Sequence, residues 1–116
     1  MKTITSTMLL WVALTSLTLK DVHYQLKKHK VKHHEIVFAQ VRLETGNLKS
    51  KHFKRTNNLF GFSLNGKLIK YSSTAKSIED YVRWQKKFYK GGCYYAFLTS
   101  IGYAADKSYI DKLKQF

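Results

Sequence analysis

Apolar positions recur at helical spacing along most of the chain, and a single segment breaks that rhythm. Leu19, Val22 and Leu26 fall on one face, which predicts a first helix from Leu19. Thr18 with Asp21 three residues on forms an N-cap pair of the capping-box type. The basic run "KKHKVKHH" closes this helix, and its Lys and His suit the negative end of the helix dipole. Ile36, Val37, Gln40 and Leu43, with Ala39 beside them, predict a second helix over about residues 34–45. Gly46 stops it, because glycine takes a left-handed backbone without strain. The polar stretch "NLKSKHFKRTNN" reads as a connection. The rhythm then changes in "LFGFSLNGKLIKYSS", where Asn65-Gly66 lies between two apolar runs. That dipeptide predicts a two-stranded hairpin over about residues 61–71. Ser73 opens a third helix, with Ala75, Ile78, Tyr81, Val82, Gln85 and Phe88 at steps of three and four and Gly91-Gly92 ending it. A fourth helix carries Tyr94, Tyr95, Phe97, Leu98 and Ile101 and stops at Gly102. Asp106 caps a fifth, with Tyr109, Ile110 and Leu113 inward. Helices, one hairpin and further helices make an α+β domain.

Composition narrows the partners more than the fold. A chain of 116 residues holds one small domain, and 44% hydrophobic with 15% aromatic residues is too apolar for a disordered chain. The net charge of +14 favours nucleic acid, an anionic membrane surface or an anionic polymer such as bacterial cell wall. Cys93 is the single cysteine, so it forms no internal disulfide and no four-cysteine zinc site; it reads as a half-buried small residue. The histidines of "HKVKHHE" are interrupted by Lys, fit no standard zinc spacing and read as a solvated basic connection. No metal or cofactor is expected. Residues 1–18, with Lys2 and an apolar core from Met8 to Leu14, read as a signal peptide or leader, too short to span a bilayer. The domain proper is then residues 19–116, placed outside the cytoplasm: secreted, periplasmic or wall-associated.

Glu44 is one of only seven acidic residues, and it sits where the second helix stops. Unpaired carbonyls at a helix C-terminus disfavour a carboxylate, and partial burial does so further. A carboxyl that keeps its proton near neutral pH is suited to general-acid work on a leaving oxygen. On these grounds alone, a solvent-facing Glu44 at a capped helix end is the simpler reading.

Four segments in order change that balance: "AQVRLETGNLKS", "NNLFGF", "YSSTAKSIEDYVRW" and "GYAADKSYIDKL". Together they resemble the glucosaminidase domains of glycoside hydrolase family 73, in the lysozyme-like superfamily, over nearly everything after the leader. The resemblance implies a mostly helical lysozyme-like fold with a small β-hairpin lobe. It implies cleavage of β-1,4 bonds after N-acetylglucosamine in peptidoglycan, by a bacterial autolysin-type enzyme or a phage lysin, acting as a monomer. It also implies that Glu44 is the general acid and Tyr103 an active-site tyrosine. Asn57 and Asn58 are expected to shape the cleft, and Phe60, Phe62, Tyr71 and Trp84 to meet sugar faces. Phe60 and Trp84 serve equally well as core.

The chain departs from the family pattern in one respect. Many members place a second carboxylate in the β-lobe, yet no Asp or Glu lies between Gly46 and Ile78. Glu79 and Asp80 read as complements to a helix N-terminus. Attack by the substrate's own 2-acetamido oxygen, or by a positioned water, therefore replaces the two-carboxylate scheme. Two other classes remain open: a wall-glycan-binding module that cuts weakly, and a small basic nucleic-acid-binding protein. The second lacks a concentrated basic face and any recognised motif, so no nucleic-acid partner is expected.

Overall fold

The computed structural model describes residues 17–103 and 106–116; the leader reading of residues 1–18 falls almost wholly outside them. Among the described residues the order is α1 (Leu19–Lys28), α2 (His34–Thr45), α3 (Lys51–Thr56), β1 (Ser63–Leu64), β2 (Lys67–Leu68), α4 (Thr74–Phe88), α5 (Tyr94–Ser100) and α6 (Lys107–Leu113). The architecture is α+β, mostly helical, with one small antiparallel hairpin.

The helix boundaries follow local chemistry. At α1 the Thr18 hydroxyl accepts from the Asp21 amide, and the Asp21 carboxylate accepts from the Thr18 amide, a closed capping box. Ser50, Ser73 and Asp106 cap α3, α4 and α6 through their side-chain oxygens. Gly46 ends α2 with φ +56°, and its amide donates to the Arg42 carbonyl. α1 packs on α2 and α4, and α2 packs on α6. The core between them is built from Val22, Leu26, Val37, Val41, Ile78 and Leu98.

Four expectations needed revision, the simplest being Cys93, which is exposed rather than half-buried. The stretch read as a connection contains α3, which buries Phe53 and Thr56. Phe88 is exposed, and Tyr89 is buried in its place, donating its hydroxyl to the Gly92 carbonyl. α4 accordingly ends at Phe88, ahead of Gly91-Gly92. The basic connection is also less solvated than its composition suggests. Val31 is buried, His33 Nε2 lies 2.8 Å from the Tyr89 hydroxyl, and His34 Nδ1 lies 3.3 Å from His23 Nε2.

The hairpin is shorter than its apolar runs. Ser63 pairs with Leu68 and Leu64 with Lys67 around the Asn65-Gly66 turn, where both residues have positive φ. The ladder is finished by a side chain: Asn58 Nδ2 donates to the Phe62 carbonyl at 2.8 Å and the Ile69 carbonyl at 3.0 Å. Isolated two-residue strands are marginal, so this lobe depends on its brace.

Candidate active site

The site begins at the last turn of α2. Gly46 stops that helix, and Thr45 fixes the stop: its hydroxyl donates to the Val41 carbonyl and accepts from the Leu48 amide. Glu44, one residue earlier, is left half-buried facing the entry to the hairpin. The opposing wall is Gly61, with φ +72°. A Cβ at that position would stand 2.8 Å from Glu44 Oε2. The backbone can approach the carboxyl this closely only because residue 61 has no side chain.

Asn58 holds that wall. It is 4% exposed, and its Oδ1 accepts from the amides of Phe60, Gly61 and Phe62 at 3.0–3.2 Å. One side chain thus fixes both the loop against Glu44 and the base of the hairpin. Asn57 takes a left-handed conformation at the end of α3 and donates from Nδ2 to the Tyr71 carbonyl. The Tyr71 hydroxyl donates to Asp80 Oδ2 at 2.5 Å. Burial, together with that carboxylate partner, pushes the Tyr71 pKa up.

A cavity of about 400 Å3 opens in front of these groups, lined by Glu44, Phe60, Gly61, Phe62, Ser63, Trp84, Ile101, Gly102 and Tyr103. Its size suits a small-molecule or sugar-unit site. Phe62, Trp84 and Tyr103 form an aromatic triangle with ring centroids 5.6–6.3 Å apart. The Tyr103 hydroxyl donates to the Phe60 carbonyl, tying the segment after α5 to the loop beside Glu44. Burial pushes the Tyr103 pKa well above its ordinary value, so the phenol stays neutral.

The structure therefore gathers Glu44, Tyr103, Phe62 and Trp84 around one cavity. Phe60 also borders it, but at 1% exposure its ring belongs to the core against Tyr81. Asn57, Asn58 and Tyr71 stand outside the lining and act as scaffold, because their polar atoms are taken up by backbone or by Asp80. Among the described residues, Glu44 is the only acidic one in the lining. Glu79 pairs with Lys76 at 3.4 Å, and Asp80 is held by Tyr71 and by Arg83 at 3.3 Å.

Two partners of Glu44 went unseen in the sequence. Tyr109 on α6 donates its hydroxyl to Glu44 Oε1 at 3.3 Å, across 65 residues of chain. Helical spacing shows Tyr109 turned inward, but nothing local says toward what. His52 lies on α3, where no helix was expected, and its electrostatic influence lowers the Glu44 pKa. Burial is the leading influence on Glu44 and raises its carboxyl above the ordinary range; the Tyr109 hydrogen bond and His52 pull it partly back. A half-buried carboxyl held near its proton, beside an aromatic cavity, is equipped to protonate a leaving oxygen.

The family model described as mannosyl-glycoprotein endo-beta-N-acetylglucosaminidase matches residues 20–116, nearly the whole described chain. Comparison with individual curated proteins and with solved structures gives no significant match.

Proposed function

Because the chain belongs to the glucosaminidase family of glycoside hydrolases, we propose that it cleaves β-1,4 bonds of peptidoglycan after N-acetylglucosamine, with Glu44 as the general acid. The observation that carries this reading is Glu44 itself: the one carboxyl in an aromatic-lined cavity, with burial raising its pKa. Phe62 and Trp84 offer ring faces to a sugar. Glu44 delivers its proton to the glycosidic oxygen, and the C–O bond breaks toward an oxocarbenium-like state at the anomeric carbon. The Tyr103 phenol has its proton committed to the Phe60 carbonyl. Its ring lines the same cavity as Glu44.

With no second carboxylate in the lining, the scheme that fits best is attack by the substrate's 2-acetamido oxygen, which closes an oxazoline that water then opens. Direct attack by water is the other route. The first retains the anomeric configuration and the second inverts it, so the anomer of the first-formed product distinguishes them. The net charge of +14 suits a polyanionic wall as the place of action, outside the cytoplasm.

The test is the release of new reducing ends from purified peptidoglycan. Wild type releases them, and Glu44→Gln lowers the rate by about 10²–10⁴-fold while keeping its folded spectrum. No release by wild type from any peptidoglycan, with glycan strands still bound, would leave a binding module, the reading that the missing second carboxylate favours. Mass spectrometry of the ends formed separates cleavage after N-acetylglucosamine from cleavage after N-acetylmuramic acid.

A further inference from the structure

A second, smaller cavity of about 130 Å3 lies elsewhere on the molecule and shares no residue with the Glu44 cavity. It is lined by Lys30, Lys32, Val82, Gln85, Lys86 and Tyr89. Three of these six are lysines, and none is acidic. All three are exposed, and the ion pairs found among the described residues, Lys76–Glu79 and Arg83–Asp80, use none of them.

The lysines are held on a fixed frame. Gln85 is 4% exposed and clamps the α1–α2 connection to α4: its Oε1 accepts from the Lys32 amide at 2.9 Å, and its Nε2 donates to the Lys32 carbonyl at 2.8 Å. Val31 is 4% exposed and anchors the same turn, its amide donating to the Leu26 carbonyl. With Val31 driven inward, Lys30 and Lys32 on either side of it project outward. Lys86 follows Gln85 directly on α4 and completes the ring. Trp84, two positions earlier, turns about 200° away toward the glycan cavity. Helix-dipole complementation explains lysines in the last turns of α1 and α4. It does not explain Lys30 and Lys32, which lie beyond the end of α1.

We propose that this cavity is a binding site for the phosphate groups of a flexible, phosphate-bearing polyanion, separate from the site of glycan cleavage. Three lysines lining one cavity, with no arginine fork among the lining residues, suit a compact oxyanion better than a planar carboxylate. The exposed Lys27, Lys28, Lys87 and Lys90 adjoin the cavity residues in sequence and extend the positive charge beyond a single phosphate, as a repeating polyanion requires. Such a site would hold the enzyme on an anionic matrix while leaving the Glu44 cleft open.

The test uses the full chain and long-chain sodium polyphosphate as probe, with inorganic phosphate, a DNA duplex of equal charge and phosphatidylglycerol vesicles as comparison arms. Wild type is expected to bind polyphosphate with an affinity that falls steeply with salt. The triple variant Lys30→Gln/Lys32→Gln/Lys86→Gln is expected to lose about tenfold or more in affinity. The control Lys20→Gln/Lys67→Gln/Lys107→Gln removes the same charge from elsewhere and is expected to lose less than about threefold. Both triples should keep the wild-type melting temperature and the wild-type rate on polymer-free peptidoglycan. Equal losses in the two triples overturn the site and leave only diffuse charge attraction. If duplex DNA or vesicles bind more tightly than polyphosphate, and the first triple abolishes that binding, the polymer is the wrong partner. Neither outcome bears on glycan cleavage, so this proposal and the proposed activity fail separately.

Discussion

At the residue scale the chemistry turns on what surrounds one carboxyl. Tyr109 donates to Glu44 and stabilises its ionised form. Tyr109→Phe removes that donor, so the Glu44 pKa rises further. The alkaline limb of a pH–rate profile, which reports loss of the acid's proton, is then expected to move to higher pH; an unmoved limb would separate Tyr109 from the acid. Glu44 also imprints on stability. Its folded carboxyl titrates above its unfolded value, so between the two values the folded chain keeps a proton that the unfolded chain has lost. Stability contributed by this group is therefore present at the acid side of that window and falls as pH rises through it. Glu44→Gln should melt at neutral pH no lower than wild type, with a flatter pH dependence, as thermal scans across the acid range will show. Gly61→Ala sets a Cβ 2.8 Å from Glu44 Oε2 on a backbone with φ +72°. It is expected to cost about 1–3 kcal/mol in chemical denaturation and to lower activity by displacing the carboxyl.

At the element scale the hairpin is a lobe without a core of its own. Its two-residue strands are exposed on every position, and Asn58 supplies hydrogen bonds that the short ladder lacks. Asn58→Ala leaves three amides and two carbonyls without that partner, and it is expected to destabilise the protein by about 2–4 kcal/mol in urea titration. Activity should fall with it, since the same side chain holds Gly61. This role shows what the sequence could and could not reveal. The asparagine pair was visible as part of a motif, and the Asn65-Gly66 turn announced the hairpin through its own backbone preference. That Asn58 faces inward to brace backbone, rather than outward to meet sugar, depends on how the loop folds over it. α3 escaped notice for a related reason. It is six residues long and buries only Phe53 and Thr56, too few to set a period.

At the scale of the whole molecule, elements are joined by buried phenols and amides as well as by apolar packing. The Tyr81 hydroxyl donates to Gln40 Oε1 at 2.6 Å and lies 2.5 Å from the Tyr94 hydroxyl, which accepts from Gln85 Nε2 at 3.0 Å. α2, α4 and α5 meet there. Gln40 Nε2 reaches toward Tyr109 without closing a well-formed bond, so the network stops just short of the phenol that holds Glu44. Tyr81→Phe strands Gln40 Oε1 in the core and is expected to cost about 1–3 kcal/mol, measured by denaturant unfolding. Periodicity marked Tyr81, Gln40, Gln85 and Tyr94 as inward-facing. Their mutual contacts span up to 41 residues and were invisible for that reason.

The tie from Tyr103 to Phe60 and the tie from Tyr109 to Glu44 share one property: each joins a residue after α5 to residues synthesised much earlier, 43 and 65 positions back. While the chain is still emerging from the ribosome, α2 and the hairpin can form without either bond. The acid is then present but has no phenol beside it, and the cleft has no far wall. Closing such distant contacts is the slow part of folding. The Glu44 carboxyl therefore gains its hydrogen-bond donor only when α6 docks on α2, a step separate from the formation of α2 itself.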